Sequence, residues 1–158
     1  MGMLDRYLLM KPSVRGVIEW CILAASGVYA YSSSVLILPF RTHFIISGVI
    51  LFVLGQALHA LSHKEHRQAH SRAEEVGRIV TTGIYSKVRH PGYLGLILSY
   101  LGASLCFQSL VPILIAVALS ALLVLTALKE EECLLKRFGK EYEEYMRRVP
   151  WRFVPKLF

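Results

Sequence analysis

Between Thr81 and Gly95 the chain gathers an Arg, a His, three Gly, two Tyr and a Pro. Proline suits the first position of a helix, where its missing N–H would be unpaired in any case. It also pushes the residue before it toward an extended conformation. Pro91 is therefore expected to open a helix, with His90 on its rim. Such a helix start offers free N–H groups and the positive end of the helix dipole, which attract a carboxylate or a phosphate. Arg89 adds a fixed positive charge. Gly92 and Gly95 are expected to leave the first turn open to a ligand. Tyr85 and Tyr93 present ring faces, which attract a sulfonium or a quaternary ammonium. With Glu131 as an anionic partner from further along, the region suits a zwitterionic, adenine-bearing ligand.

The elements that position these residues are long and apolar. From His90 to Leu128 there is no Asp, Glu, Lys or Arg, and Trp20 to Phe40 carries none either. Thr42 to Ser62 carries only His43 and His59, which can be neutral. A helix crosses the hydrocarbon core in roughly 20 residues, so two of these blocks have the length of one span and the third about twice that. Gln108, Ser109 and Pro112 interrupt the third block, which predicts a helical hairpin over Pro91–Phe107 and Leu110–Leu128. A first helix is expected over Val14–Leu38, ended by Pro39. A second is expected over His43–Ser62, running on into a polar connection that reaches Val80. The fold expected is an all-α integral membrane domain over 1–158 with about four transmembrane helices. Residues 1–80 supply the N-terminal spans and connection, and 81–158 carry the reactive half. One domain is the expectation for 158 residues, and 54% hydrophobic residues is too apolar for an ordinary soluble domain.

The net charge of +7 is distributed unevenly. With four spans and both ends on one side, every Lys and Arg except Arg41 falls on that side. The positive-inside rule then places the N- and C-termini in the cytoplasm. The basic surplus is a topology signal, with attraction to anionic membrane lipids as a second role. Nucleic acid is excluded as a partner, because basic and aromatic residues do not interleave as they do in single-strand binders. The first apolar block is too long for a cleavable signal peptide and lacks a small-residue cleavage site after it. Cys21, Cys106 and Cys133 are scattered and form no disulfide or metal framework. Glu19, near the cytoplasmic end of the first span, is expected to snorkel to the headgroups.

Lys129 to Val149 is expected to continue as a cytoplasmic amphipathic helix, with Pro150 and Pro155 breaking the tail. Glu131, Leu134, Leu135, Phe138, Tyr142 and Tyr145 recur at spacings of three and four and share one side. Glu130, Glu131 and Glu132 repel one another and need cations, for which Arg89 and Arg137 are candidates. His59, His63, His66 and His70 fall on one face of a continued second helix. Stacked histidines can hold a metal or haem, which makes a metal-binding membrane protein the rival reading. Lys64, Arg67 and Arg72 crowd that stripe, and no Cys or acid joins it, so a polar face at the headgroups is preferred.

Thr82-Gly83-Ile84-Tyr85 followed by Arg89-His90-Pro91-Gly92-Tyr93-Leu94-Gly95 resembles the first signature of the isoprenylcysteine carboxyl methyltransferases and their phospholipid methyltransferase relatives. Glu130-Glu131, Leu134, Phe138-Gly139-Lys140-Glu141-Tyr142, Tyr145 and Val149-Pro150 resemble the second. The resemblance covers Thr81 to Pro155 and includes the order of the two signatures around a hairpin. It implies an integral membrane enzyme that takes S-adenosylmethionine near the cytoplasmic side and releases S-adenosylhomocysteine. Carried over by position, it nominates Tyr85, His90, Pro91, Tyr93, Leu94, Gly95, Glu131, Tyr142 and Tyr145 as cofactor-binding. A lipid-like or prenylated acceptor would enter from the bilayer between helices. The tail departs from the family's Val-Pro-Arg, since Trp151 precedes Arg152, which leaves the acceptor pocket open.

The implied reaction is an in-line displacement on a sulfonium methyl. A carboxylate acceptor, favoured here as that of a prenylated cysteine, needs no base, so positioning and desolvation dominate. Arg89 or Arg137 would orient it by paired hydrogen bonds. An amine acceptor, as in phospholipid N-methylation, must first lose a proton, with Glu131 as the base. Sterol reductases share a related C-terminal membrane architecture, so a nicotinamide-dependent reductase is a further rival, as is a non-catalytic adaptor. Size and the absence of a targeting segment point to a prokaryotic plasma membrane.

Overall fold

A computed structural model describes residues 2–65 and 76–157. His66 and His70 of the histidine stripe lie outside the described residues. Six α-helices and one 3₁₀ turn make up the described fold: α1 Met3–Leu8, α2 Pro12–Ser32, α3 Arg41–Glu65, the turn Gly83–Ser86, α4 Pro91–Cys106, α5 Leu110–Phe138 and α6 Lys140–Arg148.

The hairpin forms where the sequence places it. Pro91 is the first residue of α4. Ser109 caps α5, its Oγ accepting from the Val111 amide at 3.2 Å, as N-cap serines do. The first long helix differs from expectation. It ends at Ser32, well before Pro39, and the chain turns through Ser34 and Leu36 with φ of 50° and 49°. Serine hydroxyls compete for backbone bonds and weaken a helix end. The freed backbone is satisfied by the hairpin turn instead: Leu38 N donates to Gln108 O at 2.7 Å and Leu110 N to Leu36 O at 3.1 Å. The C-terminal helix also differs. Gly139, at φ 54°, divides it into the end of α5 and a separate α6.

α3 and α4 pack at backbone distance. A Cβ on Gly55 would lie 2.6 Å from the Gly95 carbonyl oxygen, and one on Gly95 would lie 2.7 Å from the His59 nitrogen. Small residues permit this approach between apolar helices. Gly95 is thus filled by α3, and a Cβ on Gly92 would meet Ser62 Oγ at 2.8 Å. The expectation of an open first turn is corrected for Gly95, whose space the second helix occupies, whereas Gly92 lies on the wall of a cavity. Leu23, Tyr100, Ala116, Leu119 and Leu123 form the core between α2, α4 and α5, with Trp20 edge-on to Tyr100 at 4.8 Å.

α3 and α5 are long and apolar enough to cross a membrane. Only 11% of the most apolar stretch of α3 is buried, so it is not the core helix of a soluble protein. Ile46, Val49, Ile50, Val53 and Leu54 all face outward. Polar groups are instead found inside. Glu19 does not snorkel. It is buried, accepting from Tyr7 Oη and Tyr100 Oη at 2.7 Å each, with Arg15 Nε 3.5 Å away. Arg15 is buried too and donates to Leu8 O and Thr126 Oγ1 at 3.0 and 3.1 Å.

Candidate functional site

Glu131 lies one turn beyond the uncharged stretch of α5 and is the hub of the site. Its Oε1 accepts from Arg89 Nε at 2.7 Å and from His90 Nε2 at 3.1 Å, and its Oε2 from Arg152 Nε at 3.0 Å. Arg89 Nη1 also donates to Val149 O at 2.7 Å. The main chain adds Arg89 N to Trp151 O at 2.9 Å and His90 N to Arg152 O at 2.8 Å. One carboxylate thus joins the loop before α4, the end of α5 and the tail. Arg89, His90 and Glu131 are all buried. Burial by itself would raise the Glu131 carboxyl, but the bonds and charges of His90 and Arg89 overcome it and hold the group at about 2.

Above this hub lies a cavity of about 510 Å³, within the roughly 300–1,000 Å³ range of small-molecule sites. Tyr85, Arg89, His90, Tyr93, Glu130, Tyr142 and Tyr145 line it from the polar side. Val17, Trp20, Cys21 and Leu96 line it from the apolar side. Val17 and Cys21 are exposed, so the cavity reaches the apolar outer face of α2. The His90 ring stacks on Tyr93 with centroids 5.8 Å apart and is flanked by Phe153 at 5.9 Å. Tyr145 Oη donates to Tyr85 O at 2.8 Å. Burial, reinforced by the Glu130 charge and only partly offset by a bond with Ser62, lifts the Tyr85 phenol to about 12, so it is a neutral hydroxyl at pH 7.

Most residues expected at the site converge here. Pro91 is buried at the start of α4, and Gly95 packs on α3. Leu94 follows Tyr93 on α4 outside the cavity lining. Arg137 is placed elsewhere, its guanidinium over the Phe138 ring, in a surface hollow with Asp5, Lys129 and Glu132. It is therefore not a partner of the cavity. The acidic run divides its partners: Glu131 takes Arg89, while Glu132 takes Lys129 and Lys136 at 2.9 and 2.6 Å. Glu130 was read in the acidic run and in the second signature but was not nominated for the site. It points into the cavity, its Oε2 3.9 Å from His90 Nδ1. Arg15, Glu19 and Trp20 were also missed as wall residues, because nothing in an isolated first span says which face meets the motif loop. Among the described residues no group of three or more His, Cys, Asp or Glu could hold a metal.

Comparison with known proteins gives this geometry a family. Residues 43–141 match the phospholipid methyltransferase family model, and the chain belongs to that family. It is 31% identical over 134 residues to protein-S-isoprenylcysteine O-methyltransferase B of Arabidopsis thaliana, covering 78% of this chain and 68% of that one. It is 33% identical over 126 residues to methanethiol S-methyltransferase 1 of Bradyrhizobium diazoefficiens, covering 73% of this chain and 39% of the relative. A shorter stretch of 83 residues is 35% identical to the delta(14)-sterol reductase TM7SF2 of Mus musculus, covering 51% of this chain and 20% of the reductase. The chain thus spans about a fifth of that reductase.

Proposed function

We propose that the protein is a multi-pass membrane methyltransferase that takes S-adenosylmethionine and a lipid-like acceptor at the membrane–cytosol boundary. In this reading α2 and the α4–α5 hairpin cross the membrane with α3, both termini are cytoplasmic, and α6 lies on the cytoplasmic side. The cavity carries the proposal, because it has one polar wall and one apolar wall that reaches the outside of α2.

The residues present suit the methyl donor. Glu130 and the Tyr85 and Tyr93 rings would hold its ammonium group, which the product also carries, Arg78 its carboxylate, and Tyr142 and Tyr145 would flank its ring system. When bound, the donor supplies an electrophilic methyl on a positive sulfur. The protein's task is to position the acceptor and keep water out. His90, clamped between Tyr93, Phe153 and Glu131, fixes the start of α4. Glu131 is not suited to be a base, since it already accepts three hydrogen bonds and its affinity for a proton is low.

The name of the Arabidopsis relative favours the carboxylate of a prenylated cysteine as acceptor. The name of the Bradyrhizobium relative offers a thiol. Titration of the detergent-purified protein with S-adenosylhomocysteine tests the donor site. Saturable binding that is weakened at least about tenfold in Glu130→Gln, worth about 1.4 kcal/mol, is expected. Binding of a nicotinamide cofactor instead would overturn the proposal in favour of the reductase reading.

A further inference from the structure

The outer row of α5 runs through Leu110, Leu114, Val117, Ala121, Leu125 and Leu128, all of them exposed. Steps of three and four keep these residues on one side of the helix. At about 1.5 Å per residue the row is about 27 Å long, close to the roughly 30 Å of a bilayer's hydrocarbon core. The same row continues as Glu132 and Lys136, also exposed. The outer side of α5 thus turns from apolar to charged within one turn after Leu128, and that turn marks the level of the lipid headgroups. α1 lies at the same level. Asp5 Oδ1 is 3.7 Å from Lys129 Nζ, and Leu8 is buried while Met3 and Leu4 are exposed. Exposed apolar side chains on a short helix beside the charged end of a span suit the membrane interface.

Between α1 and this end of α5 lies a hollow of about 450 Å³, lined by Asp5, Leu9, Lys129, Glu132, Lys136 and Arg137. It shares no lining residue with the cavity above Glu131. Three cations face two carboxylates. Glu132 accepts from Lys129 and Lys136 at 2.9 and 2.6 Å, and Lys129 also reaches Asp5. Both acids are therefore met by ammonium groups. Arg137 forms no ion pair among the described residues, and its guanidinium lies over the Phe138 ring at 5.7 Å from the centroid. A ring holds a guanidinium by its face, so the N–H edge stays available to an anion.

We propose that this hollow binds the head of a membrane phospholipid of net negative charge. The phosphate sits on Arg137 and Lys136, and an acyl chain follows Leu125 and Leu128. The inference goes beyond methyl transfer: it rests on α5 crossing a membrane and not on the reaction. The planar fork of an arginine matches two phosphate oxygens. The one surplus positive charge sets the sign of the head. A head with one negative charge neutralises it, whereas a zwitterionic head brings an ammonium whose carboxylate partners here are already paired. A free phosphate would gain the charged contacts but nothing from the apolar row, so the occupant is a lipid.

Native mass spectrometry of the full-length protein, released from detergent containing equal amounts of phosphatidylglycerol and phosphatidylcholine, counts the lipid retained. One phosphatidylglycerol per chain is expected, retained at least about fivefold over phosphatidylcholine. In Arg137→Gln retention is expected to weaken about fivefold, the effect of one basic residue beside anionic lipid. Arg147→Gln removes an exposed cation of α6 outside the hollow and is expected to change nothing. Arg137 and Arg147 are both exposed, so neither substitution opens the core. Equal losses in the two variants would mean diffuse attraction to a basic surface and overturn the inference. Equal retention of the two lipids would overturn it as well. Glycerol phosphate serves as the probe without chains. Binding as tight as that of phosphatidylglycerol would assign the hollow to a soluble phosphate and not to a lipid.

Discussion

Two buried carboxylates organise this molecule by different means. Glu131 is held from two other segments, by the Arg89 guanidinium and the His90 ring before α4 and by the Arg152 guanidinium in the tail. Glu19 is held by phenols, Tyr7 from α1 and Tyr100 from α4, with Arg15 of its own helix alongside. The first hub ties the tail to the motif loop beyond the apolar stretch. The second ties α1 and α2 to α4 within it. Charged partners hold an ionised group strongly, but the hub then depends on every charge remaining in place. Neutral donors that bring no charge of their own leave a hub that can lose one member more gently.

The largest effect that sharpens this contrast is expected from Glu131→Gln. Breaking a buried ion pair from one side costs about 3–5 kcal/mol, because the remaining charge has no partner. Arg89 would be left in that state. Melting of the detergent-purified variant should fall accordingly, and limited proteolysis should release the tail from Trp151 onward. A melting temperature within error of wild type would show that the hub is not structural. Acid should imitate this substitution. The folded-state value of Glu131, about 2, lies below the ordinary value of 4.5. Its contribution is therefore present above about 4.5 and is lost as pH falls toward 2. Melting followed across that window should show a loss in the wild type that Glu131→Gln no longer shows.

Breaking the other hub should have a smaller effect. Tyr100→Phe removes one hydrogen bond to a charged acceptor in the core, worth about 1.5–3 kcal/mol. Glu19 retains Tyr7 and Arg15, so the helices should stay packed. A cost as large as that of Glu131→Gln would remove the distinction between the two hubs.

The unequal legibility of the hubs has a physical origin. Glu131 was readable because its run of acids at the end of an apolar stretch demands cations, and Arg89 beside His90-Pro91 was an evident supplier. Arg152 was not evident, since nothing local says that the tail folds back onto the loop. Glu19 was misread because a single acid near a span end ordinarily reaches for water. Only the packing of α1 and α4 shows that two phenols satisfy it. Arg137 failed for the opposite reason. It shares a helix with Glu131, but the side of the helix it occupies turns it onto Phe138 and away from the cavity. The hairpin and the second helix were legible from uninterrupted apolar length. The ends of α2 and of the C-terminal helix were not, because serine positions at Ser32–Ser34 and one glycine at φ 54° decide them.

The smallest effect separates the two phenols of the second hub. Tyr7 sits on the six-residue helix α1 and is only partly buried, whereas Tyr100 is fully buried. Burial beside the Glu19 carboxylate raises the Tyr7 phenol well above its ordinary value, so it remains a neutral donor throughout the working range. In Tyr7→Phe, water can reach the vacated side of the carboxylate and replace the lost donor. The loss should stay below about 1 kcal/mol, under the range for a buried bond to a charge. What should change is local: hydrogen exchange across Met3–Leu8 should accelerate, while exchange in α4 stays as in the wild type. Faster exchange in α4 as well would mean that α1 is a structural member of the bundle. It would also make the Glu19 hub as dependent on its complete set of partners as the Glu131 hub is.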